Sequence, residues 1–217
     1  MAPIIYLVRH AESEHNVSKD FTQRDPPLTA TGLAQASTLI ESFPDPASIA
    51  VVVTSPLTRT LQTTTVGFPQ VLHRDAAGGA QLIIDPDLQE RSDLPCDTGS
   101  GPAELHKAFP HLNFSDLGDE WFVKEGLYAA DDVAVAKRAQ RFRERLRDIT
   151  ASLEKDAEGA SEGAPRSNVV VVTHGVFMKF LADDDAIDLP KAGWKAFNLD
   201  SREDGGAVLV PLVGGKS

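Results

Sequence analysis

The stretch LVRHAESEHN, residues 7–16, ends an apolar run in Arg9 and His10 and adds His15 and Asn16 shortly after. Two further apolar runs end in the same way. IAVVVT (49–54) leads into SPLTRT with Arg59, and NVVVVT (168–173) leads into His174 and Gly175. Taken singly, each Arg reads as a surface ion-pair partner and each His as a structural residue. Taken together, two guanidiniums, two imidazoles and the amides of the helix starts that follow form the inventory of an anion site. Arg offers a planar fork of donors and a helix N-terminus favours negative charge, so the set suits a tetrahedral oxyanion such as phosphate. A neutral imidazole in that site would be a nucleophile.

These residues serve one site only if the elements carrying them converge. IIYLV (4–8), IAVVVT (49–54), QLIID (81–85) and NVVVVT (168–173) are short, apolar and rich in β-branched residues, as expected of central parallel strands covered on both faces. AVLVP (207–211) predicts one more strand. In TATGLAQASTLIESF (29–43), Leu33, Ala36, Leu39, Ile40 and Phe43 recur at helical spacing, with Thr29 or Thr31 as the cap. Between Asp131 and Lys155 a second stripe runs through Phe142, Leu146, Ile149 and Leu153. Strands alternating with helices predict an α/β fold with a mainly parallel sheet. In such sheets ligands bind beyond the carboxyl ends of the strands, which is where the three motifs lie. Adjacent strand residues point to opposite faces, so Arg9 and His10 can both serve only where the strand ends and turns.

The remaining stretches read as connections. RDAAGGAQ (74–81) and EKDAEGASEGAPRSN (154–168) are turn and loop sequences, and 86–130 is an irregular, Pro-, Gly- and Asp-rich segment placed like a substrate-site insertion. No repeat divides the chain, which reads as a single domain over 1–217. Its 217 residues carry a formal net charge of −11, which speaks against nucleic-acid or anionic-membrane partners. One cysteine, Cys96, allows no internal disulfide and reads as an ordinary thiol. MAPIIYLV lacks the features of a signal peptide and no run has the length of a membrane span, so a cytoplasmic location is expected. His73, His106 and His111 read as solvent-facing, Trp121 and Trp194 as packing residues, and ADDDA (182–186) as a helix end or turn. No His or Cys spacing suits zinc, so neither a metal nor a cofactor is expected.

In this order LVRHAESEHN, LTATG, TSPLTRTLQT, LQE and VVVTHG resemble the histidine phosphatase superfamily, the phosphoglycerate-mutase-like phosphatases and mutases. LQERSDLPCDTGS (88–100) resembles its fungal members in particular. The resemblance implies a three-layer α/β/α fold of the phosphoglycerate mutase type. It implies His10 as the nucleophile, with Arg9, Arg59 and His174 around the phosphoryl oxygens. Asn16 would add a donor, or cap a helix, and Gly175 would border the phosphate. It places the acid in DPDLQERSD as Glu90, with Asp87 and Asp93 as the neighbouring alternatives, although the sequence here departs from the glycine-rich pattern of many relatives. The function implied is metal-independent hydrolysis of a small phosphomonoester through a phosphohistidine. Two others stand beside it: a mutase-type phosphotransferase, disfavoured because 86–130 is short for a mutase lid and Ala11 and His15 depart from the mutase pattern, and a non-hydrolytic protein keeping the anion pocket. Neither substrate identity nor oligomeric state is legible.

Overall fold

The computed structural model describes residues 2–72, 79–158 and 166–212. Its centre is one six-stranded sheet in the order β3-β2-β4-β1-β5-β6. β1 (Ile4–Arg9), β2 (Ile49–Thr54), β3 (Gln81–Ile84) and β4 (Asn168–Thr173) run parallel. β5 (Trp194–Ser201) and β6 (Ala207–Pro211) extend the sheet antiparallel beside β1. β5 is the strand that sequence patterning did not predict. WKAFNLDS breaks its alternation at Ala196–Phe197 and at Asp200–Ser201 and lacks the β-branched run of its neighbours, and it forms because its backbone pairs with both β1 and β6.

The central strands are buried on both faces, which explains their unbroken apolar sequence. Ile5, Leu7, Val169 and Val171 pack on one side against Phe142 and Leu146 of α6 (Asp132–Glu158) and Phe177 and Leu181 of α7 (Gly175–Ala182). Tyr6, Val8, Val170 and Val172 pack on the other against Leu39, Phe43 and Phe68. Trp194 belongs to this second cluster, edge-on to Tyr6 at 5.3 Å and tilted on Phe43 at 5.0 Å. The result is the expected three-layer α/β/α arrangement. The long helix continues to Glu158, into what reads as loop, and Leu33 of the first predicted stripe is exposed. His73, most of the 74–81 turn and residues 159–165 lie outside the described residues.

Two motifs position the site from below. Thr29 caps α2 (Ala30–Thr38), its Oγ1 accepting from Gly32 N–H at 2.9 Å and donating to Glu12 Oε1 at 2.7 Å. Gly32 lies so close to the turn after β1 that a Cβ there would sit 1.9 Å from the Glu12 carbonyl oxygen. LTATG is thus the stretch that presses α2 against that turn. At the start of α3 (Thr58–Gly67), Asp25 Oδ1 accepts the Thr58 N–H at 2.8 Å. Segment 86–130 is not featureless. It contains a helix over Pro102–Ala108, and Leu105, Phe109, Phe114 and Trp121 form an apolar cluster with Leu57 and Leu61 of the α3 region.

Candidate active site

β1 ends at Arg9, so His10 leaves the strand and the two side chains are free of strict alternation. His10 N–H still donates to the Thr173 carbonyl at 3.0 Å, which ties it to the end of β4. Its ring Nδ1 lies 2.7 Å from the Ala11 carbonyl oxygen. A carbonyl only accepts, so Nδ1 carries the hydrogen and Nε2 of the neutral ring keeps its lone pair. Burial, then the charges of Arg59 and Lys191, hold the imidazole well below its usual pKa, so the ring is neutral at pH 7.

β4 ends at Thr173, His174 occupies the cap position of α7, and Gly175 is the first helical residue. The His174 ring is fully buried, 5.2 Å from that of His10, with Nε2 2.9 Å from Ser55 Oγ. Its Nδ1 has no hydrogen-bond partner. Burial, Arg59 and His10 likewise push its pKa well down. The Arg9 guanidinium crosses the start of α7: a Cβ on Gly175 would lie 2.9 Å from its Nη2. Arg9 Nη1 is anchored by Asp188 Oδ1 at 2.8 Å and by the Leu189 carbonyl. Arg59, in the first turn of α3, is almost completely buried. It donates to the Cys96 carbonyl and to Asp97 Oδ1, both at 2.7 Å, and its Nε is unpartnered.

Glu90 is held at the N-terminus of α7. Its Oε1 accepts the N–H groups of Phe177 at 2.9 Å and Arg91 at 2.8 Å, and its Oε2 accepts only that of Val176, at 3.1 Å. Oε2 therefore has the more open lone pair. Of the two alternatives, Asp87 is ion-paired to Arg141 and Asp93 is solvent-exposed. His15 and Asn16 form a closed ring with Ser13. His15 Nδ1–H donates to Ser13 Oγ at 3.1 Å, Ser13 to Asn16 Oδ1 at 3.0 Å, and Asn16 Nδ2–H to His15 Nε2 at 3.0 Å. Asn16 Oδ1 also accepts the Ser13 backbone N–H at 3.2 Å, which caps α1 (Glu14–Ser18), and one of its two amide hydrogens remains outside the ring. Burial and Arg59 lower the His15 pKa to about 4.

Arg9, His10, Asn16, Arg59, Glu90 and Gly175 all line one cavity of about 260 Å³. His174 stands behind His10 and is not on its wall. Sequence reasoning missed Ser55, Asp97, Lys179 and Lys191, of which the last three also line the cavity, and the partly exposed apolar rim of Phe21, Leu94 and Val176. Asp97 lies within LQERSDLPCDTGS (88–100), but nothing local marks it as the partner of Arg59. The Cys96 thiol is pushed up to about 11 by burial and Asp97, an unreactive thiol at neutral pH. Trp121 packs, His106 and His111 are exposed, and Asp183 ends α7 in a left-handed conformation. Among the described residues no group of three His, Cys, Asp or Glu side chains could hold a metal ion, and no helix is long and apolar enough to cross a membrane.

Residues 5–203 match the histidine phosphatase superfamily (branch 1). The chain belongs to that superfamily. A Schizosaccharomyces pombe protein named as a probable phosphatase is 28% identical over 197 residues, 86% of this chain and 83% of its own. A probable phosphoglycerate mutase of Proteus mirabilis is 39% identical over 87 residues, 40% of this chain and 37% of its own. The fold is shared with a mycobacterial glucosyl-3-phosphoglycerate phosphatase solved with VO3, at TM-score 0.62, 20% identity and 100% coverage of both chains. A histidine phosphatase superfamily chain with this mixed sheet thus keeps its motif residues at the carboxyl ends of β1, β2 and β4.

Proposed function

We propose that the protein is a metal-independent phosphatase that hydrolyses a small phosphomonoester through a phosphohistidine on His10. The observation that carries this reading is the His10 tautomer: a buried neutral ring whose Nδ1 is occupied by the Ala11 carbonyl and whose Nε2 is left as the nucleophile. In the first step Nε2 attacks phosphorus, the ester P–O bond breaks, and the departing alkoxide takes a proton from Glu90 Oε2. In the second, water attacks phosphorus, the P–N bond breaks, and Glu90 takes the proton from water. Arg9, Arg59, the free amide hydrogen of Asn16 and the α7 start at Gly175 supply the donors for the phosphoryl oxygens, and His174 packs behind His10. Segment 86–130, which brings Glu90, Leu94 and Asp97 to the cavity, acts as the substrate-side insertion of a single 1–217 domain. The likeness of 87 residues to probable phosphoglycerate mutases keeps phosphotransfer to a second alcohol as the other reading.

The test is rapid quenching with labelled ester. Acid-labile, base-stable phosphate should appear on the wild-type chain, absent from His10→Ala, whose turnover should also vanish with an intact fold. EDTA should leave the rate unchanged, and release of inorganic phosphate rather than a new ester separates hydrolysis from phosphotransfer. Full turnover by a folded His10→Ala protein refutes the mechanism.

A further inference from the structure

Residues 190–193 form a turn closed by Gly193 N–H donating to the Pro190 carbonyl at 2.9 Å. The turn is bonded to the heart of the site. Arg9 N–H donates to the Gly193 carbonyl at 3.0 Å, and Ala192 N–H to the His10 carbonyl at 3.4 Å. Ala192 holds φ at 58°, a left-handed conformation that residues with a side chain rarely adopt and that folds retain where a neighbouring group must be aimed. The neighbour is Lys191, half-buried on the cavity wall beside Arg9, His10 and Arg59. The carboxylates of this corner are committed elsewhere, Asp188 to Arg9 and Asp97 to Arg59. Among the described residues none lies within ion-pair distance of the Lys191 ammonium.

We infer that Lys191 is a third cation for the phosphoryl group, its ammonium donating to a phosphate oxygen beside Arg9 and Arg59. The inference deepens the phosphatase reading and rests on it. Arg9 and Arg59 already spend donors on the protein, whereas the lysine has three rotatable donors and no partner to give up. Its charge is disfavoured by burial and by Arg9 of β1, Arg59 of α3 and Lys19 after α1 (Glu14–Ser18), with Glu90 acting in the opposite sense. These bring its pKa down to about 7. His10 and His15 beside it are neutral, and Asp188 faces Arg9. A phosphate dianion supplies the missing countercharge, so binding draws a proton onto Lys191 at neutral and mildly alkaline pH.

The experiment is calorimetric titration of the full chain with inorganic phosphate at about pH 8, where an unperturbed lysine would already be charged. Running it in buffers of different ionisation enthalpy counts protons taken up. Turnover of nitrophenyl phosphate is measured alongside for wild type, Lys191→Met, Lys191→Gln and Lys191→Arg. Met and Gln should each weaken phosphate binding about 10–100-fold, raise KM more than they lower kcat, and remove the proton uptake. Arg should restore affinity without proton uptake, because it is charged before and after binding. Wild-type phosphate affinity and proton uptake in Lys191→Met, in a protein that His10→Ala inactivates, overturn the role of Lys191 alone. A wild-type chain that neither binds phosphate nor turns over esters overturns the phosphatase reading together with it.

Discussion

Glu90 shows how much a single residue is asked to do. Its two carboxylate oxygens accept three backbone N–H bonds, two of them from the first turn of α7. A glutamine there would turn an amide NH2 toward at least one N–H donor, so Glu90→Gln loses part of a helix cap as well as the proton. The expected cost is about 1 kcal/mol, read as a lowered midpoint in urea unfolding. Its catalytic effect should depend on the leaving group. An alkyl alkoxide needs a proton in the transition state, worth about 10²–10⁴-fold, whereas a nitrophenolate needs little help. Single-turnover phosphorylation of His10 should therefore slow far more with an alkyl ester than with nitrophenyl phosphate. Equal slowing for both esters would move the acid away from Glu90.

At the scale of elements, the site is a set of close approaches between helix starts and the turns after strands. Two glycines mark these approaches, and they should respond differently to alanine. At Gly32 the added Cβ meets backbone, the Glu12 carbonyl at 1.9 Å, so α2 must retreat from the turn that carries His10. Gly32→Ala should cost about 1–3 kcal/mol of stability and reduce activity with it. At Gly175 the added Cβ meets the far end of a flexible side chain, the Arg9 guanidinium at 2.9–3.0 Å. Gly175→Ala should keep its thermal midpoint within a few degrees while phosphate affinity falls, because Arg9 is displaced rather than the helix. A Gly175→Ala protein with wild-type KM would show that Arg9 does not need to lie across the α7 start.

For the molecule as a whole, the proposed phosphohistidine chemistry calls for neutral imidazoles in a buried, cation-rich pocket, and stability carries the consequence. His10, His15 and His174 all have folded pKa values below the usual 6.5, His15 at about 4 and the other two well below their normal range. In the unfolded chain all three take up protons as pH falls through about 6.5. The unfolded state then binds more protons than the folded one, so stability is present above that pH and is lost on acidification. Each ring that stays neutral in the folded protein while its unfolded counterpart is charged contributes a slope of about 1.4 kcal/mol per pH unit, and the three act in the same direction as pH falls below about 6.5. Urea midpoints across this range should fall steeply, and less steeply in His15→Asn. A flat profile from pH 6.5 to 4.5 would mean that the rings are charged in the folded protein.

Much of this protein can be read before it is folded. The both-faces-buried strands 4–9, 49–54 and 168–173 are largely continuous apolar runs in the sequence, and the chain leaves them at His10, Arg59 and His174, where a parallel sheet presents its ligands. Local patterning suffices there because burial on both faces writes itself into every residue. It fails for β5, whose mixed sequence has neither an unbroken apolar run nor clean alternation and is a strand because β1 and β6 flank it, and for 86–130, whose apolar residues lack a period and find their cluster on α3. It also cannot reveal partnerships between residues distant in the chain. That Asp97 holds Arg59, that Glu90 caps α7, and that Lys191 is carried to the Arg9–His10 corner by a turn with one left-handed alanine are products of chain closure. Residue type fixed the chemistry available, whereas the meeting of distant backbone ends decided which carboxylate faces which cation and which lysine stands on the cavity wall.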